Sequence, residues 1–402
     1  MTPARTLLAA LALALAAAVS LGLARFSYAL LLPPMRADLG WTYLTAGAMN
    51  TVNAGGYLIG ALLSPPALRR HDARVVMLVG GAAAALLLLA HGAVRSDAML
   101  YLLRGLTGVA SAASFVGGGL LAARLAGAGS VRPGLVIGIY YGGVGIGIVA
   151  SAAIVPGLVS ASVSGGAPGR TAPPQWPAAW FALGAAALAA TALTAAFTRS
   201  LGAPPLAAAG HRPFNWKYFG PALAGYTMFG LGYIGYMTFI VTLLREQGQG
   251  NAVVTIFYAL LGAGVMASPW LWAGLLQRWR GGGPLALLNA LLALATVLPV
   301  LSAHTAVVFA SGLLFGGVFL SLVASTTALV RHNCEAAAWP AGIAAFTVVF
   351  AAGQIAGPSV VGLIADGTGG LQRGFVLSAA ALALGALLAA AQRPLSAAAV
   401  RS

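Results

Sequence analysis

Arg25 interrupts an apolar run that extends from residue 6 to residue 35. A charge at the centre of a membrane span costs about 2.5–3.5 kcal/mol on insertion scales, so a guanidinium kept there needs a reason. Tyr28 follows three residues later, on the same face of a regular helix. Tyr233 and Tyr236 repeat that spacing in a second apolar run, and Arg104 lies a few residues into a third. Asn53, with Asn50, Thr51 and Tyr57 around it, and Gln354 are uncharged polar groups in other runs. Such groups commonly hydrogen-bond a neighbouring helix. Arg25, Tyr28, Asn53, Arg104, Tyr233, Tyr236 and Gln354 are the candidate binding residues. A guanidinium fork with phenol hydroxyls nearby suits a negatively charged group such as a carboxylate.

Each candidate has a plainer reading. Span one could end near Ala24, leaving Arg25 at the membrane surface. Against this, residues 26–35 stay apolar, and the 11 residues to Arg36 span about 16 Å of helix, beyond the reach of a snorkelling side chain. Arg104 could sit at the interface and pair with Asp97 or lipid. The tyrosines could be packing. No catalytic, metal or cofactor constellation competes with the binding reading. His71, His211 and His332 fall in loops, His91 and His304 near span ends, and none has a second ligand at metal spacing. Gly142, Gly143, Gly145 and Gly147 look like a phosphate loop, but no strand precedes them and no Lys-Ser/Thr follows.

The elements that must position these residues are membrane helices. The chain has 402 residues, 60% hydrophobic and 7% charged, with a mean hydropathy of +0.92. A soluble surface needs far more charge. The apolar runs are continuous, unlike the short alternating strands of an outer-membrane barrel. Twelve spans are expected, near 6–35, 42–64, 74–95, 98–123, 134–160, 176–198, 216–243, 252–276, 284–302, 305–330, 340–364 and 373–391. The first run is too long for the core of a signal peptide. The net charge of +15 is scattered over short loops, which argues against nucleic acid as a partner. Cys334 is the only cysteine, so no intramolecular disulfide forms.

Loop charge sets the expected orientation. Of 21 Lys and Arg residues, 14 fall on the side of the N-terminus and 5 on the other, among them Arg170, with Arg25 and Arg104 inside spans. Both termini are therefore expected in the cytoplasm. Arg is used almost exclusively, Lys217 being the one lysine, and Ala and Gly are abundant. That is the bias of a GC-rich bacterial genome, so a multi-pass protein of the bacterial inner membrane is expected.

The chain also repeats itself. At an offset of 208, Gly22 falls on Gly230, Tyr28 on Tyr236, Asp38 on Glu246, Gly40 on Gly248, Gly56 on Gly264, Gly108 on Gly316 and Gly145 on Gly353. The halves are 1–198 and 216–402, joined by a cytoplasmic linker at 199–215 that holds His211 and Arg212. An even number of spans per half makes them parallel repeats about an axis along the membrane normal. Spans three, six, nine and twelve are nearly pure Ala, Leu and Val and are expected to face lipid. Arg25 is where the copies differ, with Tyr233 in its place.

Twelve spans in two parallel repeats, with a central loop, resemble the major facilitator superfamily over the whole chain. Four stretches resemble its YbfB/YjiJ-like branch: ARFSYALLLPPMRADLGW (24–41), IGIYYGGVGIGIVAS (137–151), GLGYIGYMTFI (230–240) and AGQIAGPSVVGLIAD (352–366). The loop after span two departs from the superfamily pattern. Ser64 and Pro65 follow Gly60 where an acid and an arginine belong, and only Arg69 and Arg70 keep the basic end.

The resemblance implies an all-α fold and secondary active transport of a small-molecule solute across the lipid bilayer by alternating access. The buried arginine directs the expectation to an organic anion. Efflux of hydrophobic or drug-like compounds is the alternative, and an integral-membrane enzyme or sensor a more distant one. None of the six acids lies deep in a span. A coupling proton would therefore ride on the substrate or pass through a tyrosine or Asp38, or transport is uncoupled.

Overall fold

The computed structural model describes residues 2–128, 131–164, 175–202 and 214–395, and all regular structure among them is helical. Most of the expected linker, with His211 and Arg212, lies outside the described residues, as do Arg170 and Arg401. Twelve long helices follow in order. They are α1 (Pro3–Leu39), α2 (Tyr43–Arg70), α3 (Ala73–Gly92), α4 (Asp97–Gly127), α5 (Pro133–Ser164), α6 (Trp176–Phe197), α7 (Trp216–Glu246), α8 (Asn251–Arg278), α9 (Gly283–Leu301), α10 (Thr305–Asn333), α11 (Trp339–Ala365) and α12 (Gly370–Ala390). Eleven are long and apolar enough to cross a membrane. The other, α2, has 28 residues, and Asn50, Thr51 and Asn53 dilute its apolarity. The helices follow the expected spans closely. The largest departure is α2, which continues through Pro65 and Pro66 to Arg70.

Local signals set the helix ends. The Thr42 hydroxyl accepts from the Thr45 N–H at the start of α2, and the Asp72 carboxylate from the Arg74 N–H at the start of α3. Gly40 (φ +66°) closes α1 and Gly248 (φ +80°) follows α7, a left-handed turn that glycine adopts without strain. These two are repeat partners.

Packing repeats with the same register. A Cβ on Gly56 would stand 2.0 Å from the Gly105 carbonyl oxygen, and one on Gly264 would stand 2.6 Å from that of Leu313. Gly108 meets the Asn53 carbonyl and Gly316 that of Leu261, so α2 crosses α4 as α8 crosses α10. In α5 and α11 the contacts shift the register by two residues. Gly147 presses on Gly22 as Gly353 presses on Gly230, so the contact partner of Gly353 is Gly147 and not Gly145. Without a hydrophobic drive between helices in lipid, such small-residue contacts supply the packing that holds them together.

The first six helices pack chiefly among themselves, as do the last six, and α2–α11, α5–α8 and α1–α7 cross between the two groups. Helices α1 and α7 lie at the centre: 78% and 83% of their most apolar stretches are buried, against 28% for α6. The expected lipid-facing role fits α6 and α3. It does not set α9 and α12 apart, since their 44% equals that of α8 and α11.

Candidate functional site

Arg25 does not sit in a regular α-helix. Residues Ala18–Phe26 of α1 form a nine-residue π-helix, and the Ser27 N–H reaches back five residues to the Gly22 carbonyl at 3.1 Å. Such segments are rare and concentrate at functional sites. Here side chains satisfy the backbone that the wider turn loosens. The Leu23 carbonyl accepts from the Ser27 hydroxyl at 2.5 Å, that of Ala24 from Arg104 Nη1 at 3.2 Å, and that of Phe26 from the Tyr258 hydroxyl at 2.5 Å. Gly22 and Gly147 let α5 close against this stretch. At the repeat offset α7 is a continuous α-helix.

Arg25 is 4% exposed and points to the other group of six helices. Its Nη2 donates to Gln354 Oε1 at 2.9 Å, and the Tyr233 hydroxyl donates to the same oxygen at 2.9 Å. Three candidates from α1, α7 and α11 therefore meet at one atom. The guanidinium also lies 5.4 Å from the Tyr57 ring centre and 5.9 Å from that of Phe26, within cation–π range. Its Nε is buried with no hydrogen-bond partner among the described residues. In α11 the ring of Pro358 replaces the N–H that would bond the Gln354 carbonyl, so the helix is weakened where it carries the site.

Arg104 is 1% exposed and does not pair with Asp97, whose carboxylate accepts from Trp41 Nε1 at 2.8 Å. It bonds the Ala24 carbonyl and Asn50 Oδ1, both at 3.2 Å, and lies over the Tyr28 ring at 4.5 Å. Asn50 Nδ2 donates to the Thr238 hydroxyl at 2.7 Å, making another polar bridge between the two groups of helices. Asn53 Nδ2 holds the Arg104 carbonyl at 2.9 Å. Arg104 falls on Gly312 at the repeat offset, so each buried arginine belongs to one copy only.

Two candidates point elsewhere. Tyr28 turns away from Arg25 because the π-helix ends between them. Its hydroxyl donates to the Ala46 carbonyl at 2.9 Å and its ring supports Arg104. Tyr236 shares a hydrogen bond with Ser311 at 2.7 Å and stacks on Phe315 at 4.0 Å, within the last six helices. Sequence reasoning missed Tyr141 and gave Tyr57 only a place in a polar patch. Arg25, Tyr141 and Tyr233 lie within electrostatic range of the Tyr57 hydroxyl.

The contacts between the two groups of helices converge on this level. On the face away from the chain ends, Asp366 at the end of α11 accepts the N–H groups of Tyr43 and Leu44, the first residues of α2, at 2.8 and 2.9 Å. The Tyr43 hydroxyl bonds Glu246 of α7. Below them the Thr51 hydroxyl reaches the Ile355 carbonyl at 2.7 Å. Towards the chain ends Ile59 and Leu62 of α2 and Val348 of α11 are exposed. The α5–α8 pair closes the other way, from Gly145 against Gly262 to Gly138 against Trp270. On the far face a cavity of about 350 Å³ opens between α1, α5, α7 and α8, lined by Leu30, Pro34, Pro156, Val241 and Arg245. Arg25 is sealed between these closures.

Asp366 acts as a carboxylate on a helix N-terminus, an arrangement worth about 1–2 kcal/mol. Asp366→Ala is expected to open the far face. A single cysteine at Met49, in a Cys334→Ala background, should label about five to thirty times faster with an impermeant thiol reagent.

Among the described residues no carboxylate pairs with Arg25 or Arg104, and the one salt bridge is Arg95–Asp38 at 2.6 Å. Asp38 also accepts from Trp176 Nε1 at 2.7 Å. No group of three His, Cys, Asp or Glu side chains forms among the described residues.

Twelve crossing helices around a sealed polar centre define a multi-pass membrane protein with the fold of a major facilitator transporter. A bacterial homologue of the human lysosomal transporter Spinster, in an inward-facing unoccupied conformation, matches with a TM-score of 0.71 at 13% identity over 96% of each chain. The nucleoside transporter NupG matches at 0.66 and 15%, covering 96% of this chain and 97% of that one. Tetrameric PepTSo2 matches at 0.69 and 12%, over 96% of each. At these identities the likeness concerns the fold alone. The chain belongs to the family described as uncharacterised MFS-type transporter YbfB, which matches residues 17–390. No curated protein matches it significantly in sequence.

Proposed function

We propose that this transporter moves a small organic anion across the bacterial inner membrane by alternating access, with both termini in the cytoplasm. The observation that carries the reading is a pair of buried guanidiniums, Arg25 and Arg104, with no carboxylate beside either among the described residues. Burying an unpaired charge is strongly unfavourable, and an anionic ligand relieves it. The two arginines have different duties. Arg104 is engaged by Ala24, Asn50 and Tyr28 and holds the π-helix in shape. Among the described residues Arg25 has one polar partner, a neutral amide oxygen, and the Nε of each arginine has none.

A carboxylate arriving at Arg25 outcompetes that amide oxygen, because a charge-assisted bidentate pair is stronger than a neutral acceptor. Gln354 is then released from Arg25, which breaks the link between α1 and α11. Substrate binding thereby loosens the contact between the halves 1–198 and 216–402, and the halves rock about the occupied site. A coupling proton, where one is used, travels on the substrate as its acid form.

A thermal-shift panel of acetate, benzoate, glycine, choline and uridine tests this on purified protein. Only the carboxylate anions should stabilise it. Stabilisation by choline or uridine in their place would overturn the reading. Gln354→Glu makes a sharper test. The new carboxylate would stand in the position the ligand takes. The variant should melt at a higher temperature than the wild type and bind benzoate at least tenfold more weakly.

A further inference from the structure

The surroundings of Arg25 specify more than charge. Tyr233, which shares Gln354 with Arg25, lies in a set of nearly parallel rings. Its centroid is 4.7 Å from that of Phe229, 5.5 Å from Phe350 and 6.1 Å from Phe319, at angles of 26°, 21° and 9°. The guanidinium also lies 5.4 Å from the Tyr57 ring centre, Tyr141 acts electrostatically on the Tyr57 hydroxyl, and Phe115 and Tyr141 are 5.9 Å from each other.

These rings differ in how completely they are covered. Tyr233, Phe229 and Phe319 are buried. Tyr57, Phe115 and Phe350 are half-buried, and Tyr141 is 40% exposed although it lies well within the span of α5. The four partly covered rings come from α2, α4, α5 and α11. They lie on the chain-end side of Arg25, where α2 and α11 leave exposed side chains. Aromatic faces left open in this way are completed by a flat π-system, which favours offset-stacked and edge-to-face contact with them. The Arg25 guanidinium lies 5.4 Å from the Tyr57 ring, and its Nε is a buried donor with no partner among the described residues.

We propose that the anion is an aryl carboxylate, its carboxylate on Arg25 and its ring among Tyr57, Phe115, Tyr141 and Phe350. The proposal rests on the anion reading above and goes beyond it. A short aliphatic acid would satisfy the guanidinium and leave the rings uncovered. A neutral arene would cover the rings and leave Arg25 unpaired.

The test is titration calorimetry of the purified protein with benzoate, cyclohexanecarboxylate, acetate and benzamide. Benzoate should bind several-fold more tightly than cyclohexanecarboxylate and at least tenfold more tightly than acetate. The double variant Tyr57→Leu/Phe350→Leu should reduce the benzoate-to-acetate ratio to about threefold or less. Acetate binding as tightly as benzoate would overturn the aryl assignment and leave the anion reading standing. An unchanged ratio in the double variant would overturn the placement of the ring. Benzamide binding as tightly as benzoate, or no binding by any of the acids, would overturn the anion reading itself.

Discussion

Arg25→Ala is expected to weaken carboxylate binding by about 2–5 kcal/mol, at least about thirtyfold in Kd, while the protein still folds. The size of the effect follows from the missing counter-ion. Among the described residues no second cation can take over, because Arg104 is already held by the Ala24 carbonyl, Asn50 and the Tyr28 ring. The fold survives because the substitution removes an uncompensated buried charge and leaves Tyr233 bonded to Gln354. Arg25→Lys should fall between the two. It keeps a charge, but an ammonium lacks the planar fork that grips both carboxylate oxygens. Calorimetry with benzoate on the three proteins, with melting temperatures recorded alongside, separates loss of the site from loss of the fold.

The second large effect is structural. Gly56→Leu should prevent recovery of a monodisperse protein, and Gly264→Leu should do the same. A Cβ at Gly56 would stand 2.0 Å from the Gly105 carbonyl oxygen, and one at Gly264 would stand 2.6 Å from that of Leu313. Those obstacles are backbone, so α2 must separate from α4, or α8 from α10, at about 3 kcal/mol or more. Gly55 is the internal control. Among the described residues nothing lies within 4 Å of a Cβ built there. Gly55→Leu should therefore purify like the wild type, helped by leucine's better helix propensity. Size-exclusion profiles of the three variants read the contrast directly. Equal behaviour of Gly55→Leu and Gly56→Leu would remove the packing argument for both copies of the repeat.

Much of this architecture can be read from residue types alone. Apolar runs give the spans, and glycines at a constant offset mark the close helix crossings in both copies, because only a missing Cβ allows that approach. The apolar run on both sides of Arg25 places it within a span, and the 11 residues to Arg36 keep it there. Gln354 stands out as an amide in an apolar run.

Other features depend on the fold. The π-helix has no local signature in residues Ala18–Phe26, since it is stabilised by Ser27, Arg104 and Tyr258, two of them distant in sequence. That segment also undoes the spacing argument for Tyr28, because three residues mark one face only in a regular helix. Tyr236 follows Tyr233 by three residues in a regular helix, yet its hydroxyl pairs with Ser311 and its ring stacks on Phe315. The Asp366 latch joins residues more than 300 positions apart, and nothing in either segment announces it. Tyr57 gains meaning only when α2 brings it to Arg25, and Tyr141 only when α5 brings it near Tyr57.

The central claim is that Arg25 binds an anion, and calorimetric titration of wild-type and Arg25→Ala protein with benzoate and benzamide tests it most directly. The two ligands share a ring and differ in charge. The wild type should bind benzoate and not benzamide, and Arg25→Ala should bind benzoate at least about thirtyfold more weakly. Benzoate binding to Arg25→Ala with wild-type affinity, or equal binding of the two ligands to the wild type, would contradict the account.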